Sequence, residues 1–412
     1  MKISIVIPTR ERLQFLKYSV QTALEIDDPD IEIVISDNAS TDGTQEYIAS
    51  LTDPRITYVN TGGRFSMREN FNTAFLASSG DYLIYFGDDD GIVPGQFKYL
   101  RQLLEKHRPD GISWPRVTYG WPVAQGKNKT GGFRITRDDV FGSTQRYQPS
   151  DNRENLLQCH LAKLTPMPDL YHGCMSRAYL EKIALRPDLI FDGSIPDFNI
   201  SYRALLKGGD FLHVGHFFTV SGYSPASTGG GYAASQKGKG SAETKDSFSA
   251  ENRTDPEADV MAHAGSVPMA FYATLETILK KHGLETCQTD HQAWNHYVLS
   301  SARKNPELRG KLQEILGEYA RRMGHDDAFE AALTMKDRPK RSLSERLNRL
   351  WMQLHSFRVS AEQDGENTIL SVVRIVDALL RDDFAGVLDG TTKKSAAWQN
   401  TKQRSKSFER QL

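Results

Sequence analysis

The sequence predicts an α/β fold, with a mixed, mainly parallel central sheet flanked by helices and a mainly α-helical C-terminal region. Three observations predict it. Over residues 1–110 short apolar runs alternate with turn clusters and helical patterns. A polar cluster ends the first, second and fourth of those runs, and past Asp255 helical periodicity takes over.

Ile3 to Ile7 make the first strand, ended by Pro8, and Thr9, Arg10 and Glu11 open a helix carrying Leu13, Leu16, Val20 and Leu24 at helical spacing. Ile31 to Ser36 form a second strand. It runs into Asp37–Gly43, turn formers that cap a helix holding Tyr47 and Ile48. Ile56 to Val59 read as a third strand and Met67 to Ala77 as a helix. The fourth strand, Tyr82 to Phe86, is apolar throughout, as expected of a strand buried on both faces. Gly87 breaks it, and Asp88, Asp89 and Asp90 follow.

The clusters Pro8–Glu11, Asp37–Asp42 and Asp88–Asp90 should open on one rim of the sheet, where open α/β sheets bind ligands. Three adjacent carboxylates repel unless a cation is shared among them, and a hard divalent ion, Mn2+ or Mg2+, suits oxygen ligands. Extended backbone would turn Asp88 and Asp90 to one side and Asp89 to the other. A solvated acidic turn is the plain alternative for the triplet, as an N-cap or Asx turn is for Asp37.

At 412 residues the chain is too long for one ordinary core. A net charge of -1 with 39% hydrophobic and 25% charged residues describes a globular protein with no call for nucleic acid. No apolar run is long enough to span a bilayer. Cys159, Cys174 and Cys287 are widely spaced, without zinc-ligand spacing, and suit a reducing cytosol.

Beyond Pro94 a helix through Leu100, Leu103 and Leu104 leads to a strand at Gly111–Trp114, and Arg116–Arg153 reads as an irregular, packed insertion. Pro166 to Gly173 precede a helix starting near Ser176. In FDGSIPDFNISYRALL, residues 191–206, Asp197 falls in the first turn of a helix, whose N-terminus would keep it ionised. Phe211–Val214 and His216–Val220 read as strands. Residues 229–254 are too polar for a core and read as a loop or linker. Helices follow at Val267–Leu279, His291–Ala302 and Leu308–Met323. Arg338–Arg358 is a basic amphipathic stretch that suits an anionic membrane surface or another helix, through which the chain could form a homo-oligomer. The basic tail, 393–412, reads as frayed.

IVIPTRER, VISDNASTDGT and GDYLIYFGDDDGIVP, in that order and spacing, resemble the nucleotide-sugar-binding half of family 2 glycosyltransferases with the GT-A fold. The resemblance is close over residues 1–110 and looser to about residue 225. It implies an inverting transfer of sugar from a nucleotide diphosphate sugar, commonly a UDP-sugar, to a glycan or lipid-linked acceptor in bacterial surface polysaccharide synthesis. By similarity, Pro8, Thr9, Arg10 and Glu11 line the nucleotide, Asp37 accepts from the base, and Asp88 and Asp89 lie by the donor. Asp90 is the main metal ligand with Asp88 beside it. Arg64 and Arg68 are candidates to touch phosphate or sugar, or are solvated surface groups. Tyr171 and His172 correspond to acceptor contacts, and Asp197 to the catalytic base; the family often writes this place ED, whereas PD keeps only the aspartate. Ser224, Ser227 or Thr228 would donate to the diphosphate, and His213 or His216 would add a metal ligand.

On this reading residues 1–110 bind the nucleotide sugar and 111–228 the acceptor. Residues 229–254 are a loop or linker, 255–392 a helical region and 393–412 a tail. The setting implied is the cytoplasm, at the inner face of the membrane. Two other classes compete: a sugar-1-phosphate nucleotidyltransferase, which usually has a glycine-rich phosphate loop that IPTRER lacks, and a non-catalytic glycan-binding or scaffold protein, against which Asp88, Asp90 and Asp197 stand intact.

Overall fold

The computed structural model describes residues 1–122, 131–224, 251–252, 254–336, 351–352 and 354–409. Its first part runs β1 (Ile3–Thr9), α1 (Leu13–Leu24), β2 (Ile31–Asp37), α2 (Thr44–Ala49), β3 (Ile56–Asn60), α3 (Met67–Ala77) and β4 (Tyr82–Tyr85). Every residue of β1, β2 and β4 is buried, as parallel strands covered on both faces must be. Helix α3 starts where Ser66 and Glu69 form a reciprocal capping box.

The chain continues through β5 (Gly91–Ile92), α4 (Pro94–His107), β6 (Gly111–Ser113), β7 (Val117–Gly120), β8 (Gly132–Thr136), β9 (Thr144–Tyr147), α5 (Arg153–Leu157), β10 (Gly173–Ser176), α6 (Arg177–Ile183), α7 (Pro196–Lys207), β11 (Phe211–Val214) and β12 (Thr219–Tyr223). The main sheet has the order β3-β2-β1-β4-β10-β6-β11-β9. Strands β1 to β4 pair in parallel, while β10 runs antiparallel to both β4 and β6. From β1 the chain builds outward through β2 and β3, then returns to place β4 on the other side of β1. That reversal is a topological switch point, and a crevice opens above the carboxyl ends of β1 and β4.

Four sequence expectations are corrected here. Thr9, Arg10 and Glu11 do not begin a helix: Thr9 ends β1, Glu11 has φ 52°, and α1 starts at Leu13. The insertion at 116–153 is not irregular among its described residues. Its short segments become β7, β8 and β9 because each finds a partner far along the chain, β7 with β12, β8 with β13 (Ser356–Ser360) and β9 with β11. Such pairing leaves little local signal.

The third and fourth corrections concern the C-terminal region. Helices α8 (Val267–Lys281), α9 (His291–Ser301), α10 (Pro306–Met323) and α11 (Asp326–Thr334) share an apolar core with α5 and α7. After β13 and the hairpin β14 (Glu362–Gln363) and β15 (Glu366–Asn367), however, α12 (Ile369–Leu380), α13 (Asp383–Leu388) and α14 (Lys394–Glu409) return to the core of the first sheet. The expected helical region is therefore divided between two cores. The expected frayed tail is helical to Glu409, with Ala397, Trp398, Thr401 and Ser405 buried. The readings placed on Ser227, Thr228, most of 229–254 and most of Arg338–Arg358 lie outside the described residues. Among the described residues no helix is long and apolar enough to cross a membrane.

Candidate active site

At the switch point Thr9 Oγ1 donates to Asp88 Oδ2 (2.7 Å), joining the end of β1 to the turn after β4. Arg12, at the start of α1, places one guanidinium nitrogen 2.9 Å from Asp88 Oδ1 and another 2.8 Å from Asp89 Oδ2. It also donates to Ser224 Oγ (2.9 Å) beyond β12. Asp88 and Asp89, not Asp88 and Asp90, therefore converge on one cation. The extended-strand argument fails because the backbone turns: Asp90 N–H donates back to Gly87 C=O, and alternation of side chains ends with the strand.

Asp90 faces the opposite side. Its Oδ2 accepts from Gly87 N–H and from Tyr171 Oη, both at 2.7 Å, and His172 Nε2 lies 3.1 Å away. Its Oδ1 accepts from Gly222 N–H (2.7 Å). Burial alone would raise this carboxyl, but His172 and Tyr171 hold it below the ordinary range. Asp88 goes the other way. Burial, reinforced by Asp89 and only partly offset by Arg12, pushes it up to about 7. Two glycines permit the packing. A Cβ at Gly87 would sit 2.5 Å from Tyr171 Oη, and one at Gly222 would overlap the Asp89 carbonyl.

A second group of polar side chains lies beside the first. Arg116, Asp169, Asp197 and Ser201 line a cavity of about 320 Å³ whose apolar wall includes Leu164, Phe198 and Phe271. Arg116 pairs with Asp169 at 3.0 Å and also donates to the Tyr171 carbonyl (3.0 Å). Tyr171 thus touches both groups, with its hydroxyl on Asp90 and its carbonyl on Arg116. Asp197 is half-buried in the first turn of α7, as expected. Burial pushes its carboxyl up, with the Phe198 N–H and Arg116 pulling back, so the helix terminus does not act alone. Helix α7 is itself anchored. Its fully buried Arg203 reaches the Ile190 carbonyl and lies 3.7 Å from Asp192, which also takes His282 Nε2 at 2.6 Å.

Residues 4–169 match the family model for glycosyl transferase family 2. This part of the chain is a family 2 glycosyltransferase domain. Two curated relatives agree with the match. The chain is 34% identical over 146 residues to the abequosyltransferase RfbV of Salmonella typhimurium, covering 34% of this chain and 44% of the relative. It is 30% identical over 104 residues to the GalNAc(5)-diNAcBac-PP-undecaprenol beta-1,3-glucosyltransferase of Campylobacter jejuni, covering 24% and 34%. The matches thus span less than half the length of either relative. Among solved structures, S. aureus TarS 1–349 in complex with UDP-GlcNAc superposes with a TM-score of 0.40 at 15% identity, covering 81% of this chain and 90% of that one.

The sequence-derived residues separate. Pro8, Thr9, Asp88, Asp89, Asp90 and Tyr171 gather at the switch point or its rim. Arg10 pairs with Glu251, and Glu11 accepts from Thr41 N–H and Oγ1, both 3.1 Å, beside Arg64 at 3.7 Å. Asp37 is fully buried and occupied, accepting from Ser40 N–H, Tyr58 Oη and Asn60 Nδ2. Arg68 does not reach the site. It is buried in α3 and its Nε donates to Asp255 (2.7 Å), because that face of α3 packs inward. His172 is a buried support rather than an exposed contact: Nδ1 meets Thr219 Oγ1 at 2.9 Å and Nε2 faces Asp90. His216 stacks on Phe384 (3.8 Å) and His213 meets Ser113 (3.0 Å), so neither joins the aspartates.

Sequence reasoning missed Arg12, Arg116 and Asp169. Arg12 carried a usable signal, a basic residue next to the first strand's polar cluster when three acids follow the fourth. Arg116 and Asp169 carried none, since 52 intervening residues separate them and only the fold closes that distance.

Proposed function

We propose that this chain transfers a sugar, with inversion, from a nucleotide diphosphate sugar of the UDP class to a hydroxyl of a glycan or lipid-linked acceptor in bacterial surface polysaccharide assembly. One observation carries the reading: Tyr171 links a buried aspartate triplet at the switch point to a cavity with a half-buried aspartate, Asp197, on its wall. Diphosphate and acceptor hydroxyl need such adjacent places.

Asp197 is the base. It takes the acceptor proton as the oxygen attacks the anomeric carbon and the nucleoside diphosphate departs from the opposite face, through an oxocarbenium-like transition state. A carboxyl raised by burial is a better proton acceptor than a solvated one. Arg116 keeps its neighbour Asp169 paired, so that Asp197 is the carboxylate left to react.

The triplet fits a hard divalent ion, Mn2+ or Mg2+. Asp88 Oδ1 is buried without a hydrogen bond, because the Arg12 N–H is misaligned toward it, and Asp90 Oδ1 accepts only from Gly222. A carboxylate oxygen has two acceptor positions, so each keeps room for an ion, and joint ligation by Asp88 and Asp90 would require the turn to bring the two carboxylates to one side. A bound ion would supply positive charge beside the leaving diphosphate. A lipid-linked acceptor would set the reaction in the cytoplasm at the inner face of the membrane.

Asp197→Asn tests the reading. Binding of the UDP-sugar, measured calorimetrically with Mn2+, should be retained while transfer falls by about 10²- to 10⁴-fold. Unchanged turnover removes Asp197 from the base role. Stabilisation by nucleoside triphosphate in place of UDP would favour a nucleotidyltransferase.

A further inference from the structure

Outside the residues that match the family, three metal-ligating side chains meet. Glu276 projects from α8, His291 opens α9, and His325 stands at the corner between α10 and α11. One nitrogen of each ring and one carboxylate oxygen all lie within 4.8 Å of one another, the one such trio among the described residues. Glu276 is buried, yet its Oε1 has no hydrogen bond and faces His291 Nδ1 only at 3.7 Å, and neither ring nitrogen of His325 has a hydrogen bond. An unpaired buried carboxylate oxygen costs stability unless something positive sits beside it.

We propose that Glu276, His291 and His325 bind a transition-metal ion of the zinc class, joining α8, α9 and the corner before α11. Two imidazoles and one carboxylate are a borderline N/O donor set that suits Zn2+ or Co2+ better than the oxygen-seeking ions of the aspartate triplet. One support that metal ligands require is present. Tyr319 Oη donates to Glu276 Oε2 (2.8 Å), leaving Oε1 for the ion. His291 Nδ1 is also the nitrogen that faces Glu276, 3.7 Å from Oε1, so it is the ligand atom, and its contact with Tyr272 Oη (2.8 Å) gives way to the ion. The two rings stack 4.0 Å apart at 5°, so their nitrogen lone pairs lie in parallel planes. One ring must turn to converge on an ion, and His325, half-buried and unbonded, is the one free to do so. With three protein ligands, the remaining coordination goes to water.

The test uses the full chain, Zn2+ or Co2+ alone, and no glycosyl substrate. Equilibrium dialysis should find a bound ion at this site, micromolar Zn2+ should raise the Tm by several degrees, and Co2+ should give visible bands of a low-coordinate N/O site. Glu276→Gln and His325→Ala should each weaken binding by at least about tenfold. Asp88→Asn should leave it unchanged. Absence of binding by the wild type, binding retained in both ligand variants, or loss in Asp88→Asn alone overturns the proposal.

Discussion

Arg12 is the residue on which the acidic turn depends. Its guanidinium faces Asp88 and Asp89 together, and without it those two buried carboxylates lose the cation they share. Asp88 shows the strain, pushed up to about 7 from an unfolded value of about 4. A carboxyl whose folded pKa is raised contributes stability that is present below the unfolded value and lost as pH rises through the folded one. Arg12→Leu should raise Asp88 further. The expected loss is about 3 kcal/mol at pH 8, the order found when one partner of a buried pair is removed, and it should shrink toward pH 5 as the carboxyls protonate. Urea unfolding at the two pH values checks the sign, and a loss larger at pH 5 than at pH 8 contradicts it.

Among the elements, β13 and α14 have the least expected role. β13 pairs with β8 at the edge of a second, five-stranded sheet of order β13-β8-β7-β12-β5, and α14 lays Trp398 against Phe357 at 5.2 Å between ring centres. Trp398 is only 5% exposed, although it sits in a helix whose composition is mostly polar. One large side chain thus fastens the last helix to the core of the first sheet. Trp398→Ala should destabilise the fold by about 3–5 kcal/mol through the cavity it leaves. The effect should appear in the urea unfolding transition followed by tryptophan fluorescence, to which buried Trp114 and Trp121 of the first core and Trp294 of the second contribute. A variant that unfolds like the wild type would show α14 to be a dispensable appendage.

On the scale of the whole molecule, the cavity beside Asp197 is built from two regions. Arg116 and Asp169 come from the glycosyltransferase domain, whereas Phe271 comes from α8 and stacks near Phe198 at 4.2 Å. On the proposed function, this places acceptor choice partly in the helical layer. Phe271→Ala should raise the acceptor KM by about tenfold, the equivalent of ~1.4 kcal/mol of lost apolar contact, with the donor KM unchanged. Steady-state kinetics with each substrate varied in turn separates the two.

What the sequence by itself determined is the order and kind of the first elements, the rim on which their polar ends gather, and the first-turn position of Asp197. Those features are local: apolar runs, turn formers and helical spacing act within a few residues of where they are written. Only the tertiary structure decided that Asp88 pairs with Asp89 through Arg12, that Tyr171 joins Asp90 to Arg116, and that the last helix returns to the first core. Each of these depends on groups dozens to hundreds of residues apart. A side chain's partner across such a distance is set by strand order and packing; the basic Arg12 beside the first polar cluster hinted at its partners, whereas nothing near Tyr171, Arg116 or the last helix did.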